Sequence, residues 1–338
     1  MYTVNYQDLF DYTMKVFQKY DVPEEHAKVI ADVLVHANLR GVDSHGVLRL
    51  EHYIKRISSG GINTNPKVQF ETTSKSTGIM DGDNGFGHYI SNQAVEKGVE
   101  LCLDNGISAV AVKNSSHCGA LSYFVDKIAN KKLIGIAMTH TDSSVIPFGG
   151  KEPYFGTNPI AFGFPMSKDD NVILDFATST VALGKILNSQ NNNKTIPDGW
   201  GVDSEGNTTN DPDKVAYLTP FGGPKGYGLA MVVEIFSSLL SGSAFGPHIT
   251  KMYGDYNKNR ELGHFFILID PSKFVSIDDF TNRLIQMTQE IKQVKPSNGI
   301  KEVLVPGDIE KINEKNNKIH GIQLSENVYE FIKNEINI

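Results

Sequence analysis

Short apolar segments of strand-like composition alternate with segments of helical spacing through the middle of the chain. Residues 107–112 are apolar and β-branched, which predicts a buried strand, and apolar side chains then recur at helical spacing over 120–128. The two ends of the chain show mainly helical spacing. This order predicts an α/β protein with a helical flanking region built from both chain ends. Further strands are predicted over 69–72, 77–81, 133–139, 159–164, 172–176 and 265–269.

The 338 residues are enough for about two domains. We expect an N-terminal helical region over 1–73, a central α/β region over 74–275, and a helical region over 276–338 that returns to the N-terminal part. The most apolar long run, 228–246, contains Glu234, which favours a buried helix over a membrane span. We expect the helix over 228–242 to pack on the helical part of the protein.

The formal net charge of −7 excludes a nucleic-acid partner held by a broad basic face. It is compatible with a small anionic ligand, which needs only one local arginine. Cys102 and Cys118 are the only cysteines and lack CxxC spacing, which is typical of a reducing cytoplasm. Residues 1–12 contain neither the basic nor the apolar part of a signal peptide. We therefore expect a cytoplasmic protein that binds neither nucleic acid nor a membrane.

His117 follows the predicted strand over 107–112 and lies in a short polar turn before a predicted helix. A side chain at such a position is held by fixed backbone at the edge of a cleft. An imidazole titrates near neutral pH, so it can take up or release a proton during a reaction. The position predicts a catalytic acid or base, with a helix-capping or surface histidine as the alternative.

On the helix predicted after Ser44, the residues His45, Arg49 and Tyr53 recur every four positions. They therefore share one face, which is not the apolar face. A guanidinium fork suits a carboxylate, and a phenol hydroxyl adds a neutral donor. The pattern predicts a site for a carboxylate-bearing substrate, with a solvated helix face as the alternative.

Three other positions combine charge with a turn or a strand end. Lys225 lies in a glycine-rich turn before a helix, which predicts an anion site for a nucleotide pyrophosphate or a tight turn alone. Asp175 lies at the end of a predicted strand, where it either accepts ribose hydroxyls or caps the following helix. Asp142 either orients an imidazole or belongs to a turn. The chain contains no GxGxxG fingerprint, P-loop, HExxH or GxSxG motif, and we expect no metal site.

These stretches together resemble the malate/L-lactate dehydrogenase family that is distinct from the Rossmann-type enzymes, the sulfolactate-dehydrogenase-like group. The resemblance implies a non-Rossmann fold with a mixed central sheet and a helical flanking domain, in which the central region binds nucleotide and carries catalysis. It also implies a nicotinamide-dependent oxidoreductase of 2-hydroxy acids, or of 2-oxo acids in reverse, and a homodimer with its active site near the subunit interface. The matching segments lie in order along nearly the whole chain, at 40–46, 114–119, 156–159, 175–179, 223–229 and 241–246.

The resemblance assigns expected roles by position in these motifs. His117 corresponds to the family's acid/base histidine, with Asp142 as an acid near it. Arg49 corresponds to the carboxylate-binding arginine, with Tyr53, His45 and Arg260 also at the substrate. The expected cofactor is NAD, with NADP also open, and the segments expected to contact it contribute Thr141, Asp175, Phe176, Ala177, Lys225, Gly307 and Asp308.

Four further segments, 121–125, 145–150, 196–198 and 259–263, resemble the ureidoglycolate-oxidising members of the family. The resulting hypothesis is oxidation of (S)-ureidoglycolate to oxalurate with NAD, in the breakdown of ureides such as allantoin. The alternatives are the same chemistry on malate, lactate or sulfolactate, and NADPH-dependent reduction of a cyclic imine acid such as piperideine-2-carboxylate. A more distant alternative is a nucleotide-binding protein without catalysis.

Overall fold

The computed structural model describes residues 1–167 and 170–337. Its α-helices are α1 Tyr6–Lys19, α2 Glu24–Leu39, α3 Leu50–Ser58, α4 Gly87–Asn105, α5 Leu121–Ala129, α6 Leu183–Asn191, α7 Pro224–Glu234, α8 Ile277–Gln293, α9 Asp308–His320 and α10 Glu326–Ile336. Its strands are β1 Tyr2–Val4, β2 Gln69–Ser74, β3 Thr77–Asp81, β4 Ile107–Ser115, β5 Ile134–Thr139, β6 Ile160–Phe164, β7 Val172–Phe176, β8 Gly201–Val202, β9 Tyr217–Leu218, β10 Leu262–Ile269 and β11 Ile322–Leu324.

Seven strands form the central sheet, in the order β2-β3-β4-β10-β5-β6-β7. β3 and β4 are parallel, whereas the other neighbouring strands are antiparallel. A parallel pair needs a crossover connection, and α4 supplies it between β3 and β4. The predicted α/β fold with a mixed central sheet is therefore confirmed.

The two ends of the chain lie together, because β1 pairs antiparallel with β11. Helices from both ends share one apolar core, to which Phe17 of α1, Leu34 of α2 and Ile332 of α10 belong. Val33 on α2 belongs instead to the core beneath the central sheet, so the helical layer and the sheet are in contact. Burial of these apolar side chains stabilises the layer against the sheet. The division of the chain after residues 73 and 275 stays a prediction.

The apolar run over 228–246 forms α7 and a following π-helical turn, Ile235–Leu239. Met231, Val232 and Leu239 are 47%, 41% and 56% exposed, so the prediction of a buried helix is wrong for this outer face. The opposite face packs on the sheet through Val233, which is fully buried. In the ranges that the structure describes, no helix is both long and apolar enough to cross a membrane.

Glu234 is buried in this apolar helix, and several donors surround its carboxylate. Asn158 Nδ2 donates to it at 2.6 Å and the Gly246 N–H at 2.7 Å, while His140 Nδ1 lies 3.6 Å away.

We expect Glu234→Gln to lower the free energy of unfolding by about 2 kcal/mol, because an amide accepts through only one of its two terminal atoms. Urea denaturation tests this, with the exposed Glu290→Gln as control. Equal midpoints for the Glu234 variant and the wild type would contradict the role of this carboxylate.

The sequence pattern does not predict α9. Its side chains Ile309, Ile312 and Ile319 are 56%, 50% and 66% exposed, so no buried apolar stripe marks the helix. The sequence does mark the start of this helix. Gly307 precedes it with a φ of +92°, and acidic side chains lie in its first turn. Capping residues and charges would therefore have been a better guide here than hydrophobic periodicity.

Candidate active site

His117 lies in a loop between β4 and α5 whose backbone is held firmly. Ser116 Oγ donates to the Gly85 carbonyl at 2.9 Å and accepts from the Gly87 N–H at 3.1 Å. Gly119 has a φ of +79°, and a Cβ there would lie 2.7 Å from a neighbouring valine side chain, so the turn requires glycine. The backbone that carries the half-buried imidazole of His117 is therefore fixed in position.

The stretch over 43–57 is not one helix, so the prediction that one helical face carries positions 45, 49 and 53 is wrong. Two 3₁₀ turns, Asp43–His45 and Val47–Arg49, precede α3. Gly46 between them is extended and packs against Asn38, because a Cβ at Gly46 would lie 2.1 Å from Asn38 Oδ1. Tertiary packing, rather than helical spacing, brings the three predicted side chains together.

Tyr53 is only 1% exposed, instead of lying on the polar face that the sequence predicts. Its Oη lies 2.7 Å from His117 Nδ1. Burial raises the pKa of Tyr53, so the hydroxyl keeps its proton at neutral pH. The ring of His45 packs on His117 with the centroids 5.7 Å apart, which places a third predicted residue at the same point.

Burial lowers the pKa of His117 well below 6.5, and the neighbouring His45, Arg49 and Arg260 lower it further. Burial also lowers the pKa of His45, to about 4. Both effects disfavour the imidazolium, because a charged ring loses hydration and meets positive neighbours. At neutral pH His117 is therefore a neutral ring that can accept a proton.

Two contacts hold the guanidinium of Arg49. Its Nε donates to the Ser44 carbonyl at 2.7 Å, and Nη1 donates to Tyr253 Oη. Across the described part of the chain, no hydrogen bond involves Nη2. An arginine fixed in this way presents its remaining N–H groups to an anion. No local pattern marks Tyr253, which lies 204 residues further along the chain.

Asp142 pairs with Arg260, whose Nη2 lies 2.8 Å from Asp142 Oδ1, and Thr141 Oγ1 donates to the same oxygen at 2.9 Å. This ion pair replaces the hydrogen bond to His117 that the sequence suggested for Asp142. The Arg260 side chain is 2% exposed, and its Nε and Nη1 have no hydrogen-bond partner among the described residues. Buried N–H groups without partners are costly, and these two are donors that the described part of the chain leaves unused.

Segments predicted to contact a cofactor meet around β7. The Phe221 N–H donates to the Thr178 carbonyl at 3.0 Å, and the Phe221 ring lies 5.8 Å from that of Phe176. Gly307 approaches the same strand, because a Cβ there would lie 3.1 Å from the Ile173 carbonyl oxygen. The glycine-rich turn and the loop before α9 thus both lie against β7 or the residues that follow it.

Asp175 connects these segments to the loop of His117. Its Oδ2 accepts the Ser122 N–H at 2.7 Å, in the first turn of α5. Ala177 directly follows β7. The predicted cofactor site and the predicted proton-transferring residue therefore share one structural unit.

Charged side chains mark two of the segments. Lys225 lies in the first turn of α7, after Gly222 and Gly223 with φ values of +57° and +64°. The Lys225 ammonium and its own backbone N–H at this helix start fit an anion such as a pyrophosphate. Asp308 is instead used within the fold, since Lys292 Nζ lies 2.9 Å from its carboxylate.

Comparison with known proteins identifies the family. The model of the malate/L-lactate dehydrogenase family matches residues 4–333. The ureidoglycolate dehydrogenase (NAD(+)) of Escherichia coli is 39% identical over 308 residues, which cover 91% of this chain and 88% of that protein. The L-sulfolactate dehydrogenase of Methanocaldococcus jannaschii is 38% identical over 322 residues, covering 94% and 92%.

A solved structure of sulfolactate dehydrogenase from the same archaeon superposes with a TM-score of 0.94 at 35% identity, covering 99% of this chain and 97% of that one. The match extends through the sheet and the helical layer alike, so the expected fold is confirmed. The chain therefore belongs to the malate/L-lactate dehydrogenase family and is an NAD(P)-dependent dehydrogenase that acts on CH–OH donors.

Proposed function

We propose that this enzyme oxidises (S)-ureidoglycolate to oxalurate with NAD. The substrate carries a carboxylate, a hydroxyl on C2 and an uncharged ureido group. The proposal therefore needs one cationic site, one proton acceptor and one set of donors for a neutral carbonyl. Arg49, His117 and Arg260 supply these three functions.

The observation that carries the choice of substrate is the buried guanidinium of Arg260. Asp142 already balances its charge at 2.8 Å, while its Nε and Nη1 lack partners among the described residues. A charge-balanced donor pair suits the oxygen of a ureido group. It suits the second anionic group of malate or sulfolactate less well, because that group would face the carboxylate of Asp142.

The reaction needs a base on the hydroxyl and an anchor on the carboxylate. Arg49 binds the carboxylate, and His45 borders the space beside it. His117, neutral at the start, takes the hydroxyl proton on Nε2, since its Nδ1 faces Tyr53 Oη at 2.7 Å. The negative substrate carboxylate then stabilises the imidazolium that forms.

The residues around β7 fit a dinucleotide. The Lys225 ammonium at the start of α7 holds the pyrophosphate, while Asp175, Phe176, Ala177, Thr141 and Gly307 border the remainder. NAD, when bound, supplies the acceptor for the hydride that leaves C2. The name of the E. coli relative, which specifies NAD(+), supports this choice over NADP.

Initial rates of NADH formation with four 2-hydroxy acids test the substrate. We expect kcat/KM for (S)-ureidoglycolate to exceed that for lactate by about 10²-fold, because lactate leaves the Arg260 donors unpaired. Malate and sulfolactate should fall between the two. A larger kcat/KM for malate or sulfolactate would contradict the substrate, and turnover of NADPH with a cyclic imine acid alone would contradict the reaction.

The lowered pKa of His117 predicts the pH profile. The neutral ring is the active form in oxidation, so activity is lost as the pH falls through the pKa of His117. We expect the acid limb of kcat/KM to lie below pH 6.5, with no His117-dependent change between pH 7 and 9. An acid limb at or above pH 6.5, measured in overlapping buffers, would contradict the lowered pKa of His117.

We also propose that the enzyme is a cytoplasmic homodimer whose active site lies near the interface. The exposed apolar face of α7 and the following π-helical turn, around Met231, Val232 and Leu239, supports a partner subunit on that side. The two thiols, Cys102 and Cys118, are free and buried, as a reducing compartment allows. Light scattering of the purified protein tests the dimer.

A further inference from the structure

His88 belongs to none of the motifs discussed above, yet it lies behind the proposed catalytic residue. It is the second residue of α4 and is fully buried. Its Nε2 lies 3.3 Å from Tyr53 Oη, and the same oxygen lies 2.7 Å from His117 Nδ1. The three side chains thus form a line, His88–Tyr53–His117.

We propose that His88 is a positioning residue that acts through Tyr53 to determine which ring nitrogen of His117 carries the proton. The proposal rests on the proposed function, in which Nε2 of His117 accepts the hydroxyl proton of the substrate. Nε2 can accept a proton only when the single proton of the neutral ring is on Nδ1. That Nδ1–H then needs an acceptor.

Tyr53 Oη is the acceptor at hydrogen-bond distance, since Asp142 is paired with Arg260. A hydroxyl that accepts from His117 must direct its own proton elsewhere, and His88 Nε2 receives it. The Gly119 N–H also faces His117 Nδ1, at 3.4 Å, but Tyr53 Oη at 2.7 Å is the closer and stronger partner of this nitrogen. Without His88, the Tyr53 proton would turn toward Nδ1 and favour the opposite tautomer.

Burial keeps His88 in the neutral form that this arrangement needs, because it lowers the pKa of His88 to about 3. The remaining ring proton is then on His88 Nδ1, which is buried without a hydrogen-bond partner among the residues described. A buried N–H group left unsatisfied in this way costs folding stability, and an apolar side chain removes that cost. We therefore expect the fold to tolerate an apolar side chain at position 88.

Two substitutions at this position separate positioning from packing. We expect His88→Leu to lower kcat for 2-hydroxy acid oxidation at least tenfold, with KM and the thermal midpoint nearly unchanged. His88→Gln should keep at least half of kcat, because its side-chain amide can accept from the Tyr53 hydroxyl. Unchanged kcat in His88→Leu, or an equal loss in His88→Gln, would overturn the proposal.

Two more measurements test the route through Tyr53. In a Tyr53→Phe background, His88→Leu should have no further effect on kcat, and a tenfold additional loss would overturn the route. ¹⁵N NMR of histidine-labelled protein should show His117 protonated on Nδ1 in the wild type and on Nε2 in His88→Leu. A wild-type Nε2–H form would overturn the proposal. Because this spectrum needs no substrate, a wild type inactive on every 2-hydroxy acid would refute the proposed function alone.

Discussion

His117→Asn should lower kcat for oxidation of the 2-hydroxy acid by about 10²- to 10⁴-fold, which is the range for loss of a general base. Asparagine keeps much of the shape and polarity of the ring but cannot accept a proton at neutral pH. The acid limb of the pH profile should disappear in the same variant, because the group that titrates there is gone. Both effects are measured by initial rates of NADH formation across the pH range.

The matched control is His320→Asn, since His320 is exposed at the end of α9. It should leave both the rate and the pH profile unchanged. NADH affinity, measured by fluorescence titration, should stay within about twofold of the wild type in the His117 variant, because the predicted cofactor contacts lie around β7 and α7. Wild-type turnover by His117→Asn would exclude this residue as the base.

Arg49→Met should lower kcat/KM by roughly 10²- to 10³-fold, mainly through KM. Charge-assisted hydrogen bonds contribute about 1.5–3 kcal/mol each, and the proposed carboxylate contact uses more than one N–H. Arg49 also lowers the pKa of His117, so its removal should move the acid limb of kcat/KM to higher pH. One substitution therefore has two independent readouts.

Arg283→Gln on the exposed side of α8 removes the same charge from the surface and serves as the control. An uncharged amide analogue of the substrate should discriminate little between the wild type and Arg49→Met, since it lacks the carboxylate. A variant that loses kcat with KM unchanged would mean that Arg49 does not anchor the substrate in its ground state.

Much of the architecture follows from local patterns. The alternation of apolar segments predicted the main strands of the sheet, and the helical spacing over 120–128 corresponds to α5. Hydrophobic periodicity identifies an element when one face is buried and the other is not. It failed for α9, whose isoleucines are exposed, and it misjudged α7, whose outer face is apolar yet uncovered within the chain.

The candidate site, too, was predicted in part from local patterns and in part was not. Motif positions pointed to His117, Arg49 and Arg260, and the structure brings the charges of both arginines close enough to lower the pKa of the histidine. The helical spacing invoked for positions 45, 49 and 53 was the wrong reason for their proximity, because Gly46 interrupts the helix. Tyr253 and His88 could not be predicted, since each acts through a partner distant in sequence.

The sequence by itself determined the alternation of elements, their caps and turns, and the kinds of side chain available for chemistry. Only the tertiary structure decided the partners: Asp142 with Arg260, Tyr53 with His117, and β1 with β11 across the whole chain. Periodicity and capping depend on neighbours a few residues away, which any local window contains. The pairing of buried polar groups depends on which of them approach one another once water is excluded, and that is a property of the folded chain alone.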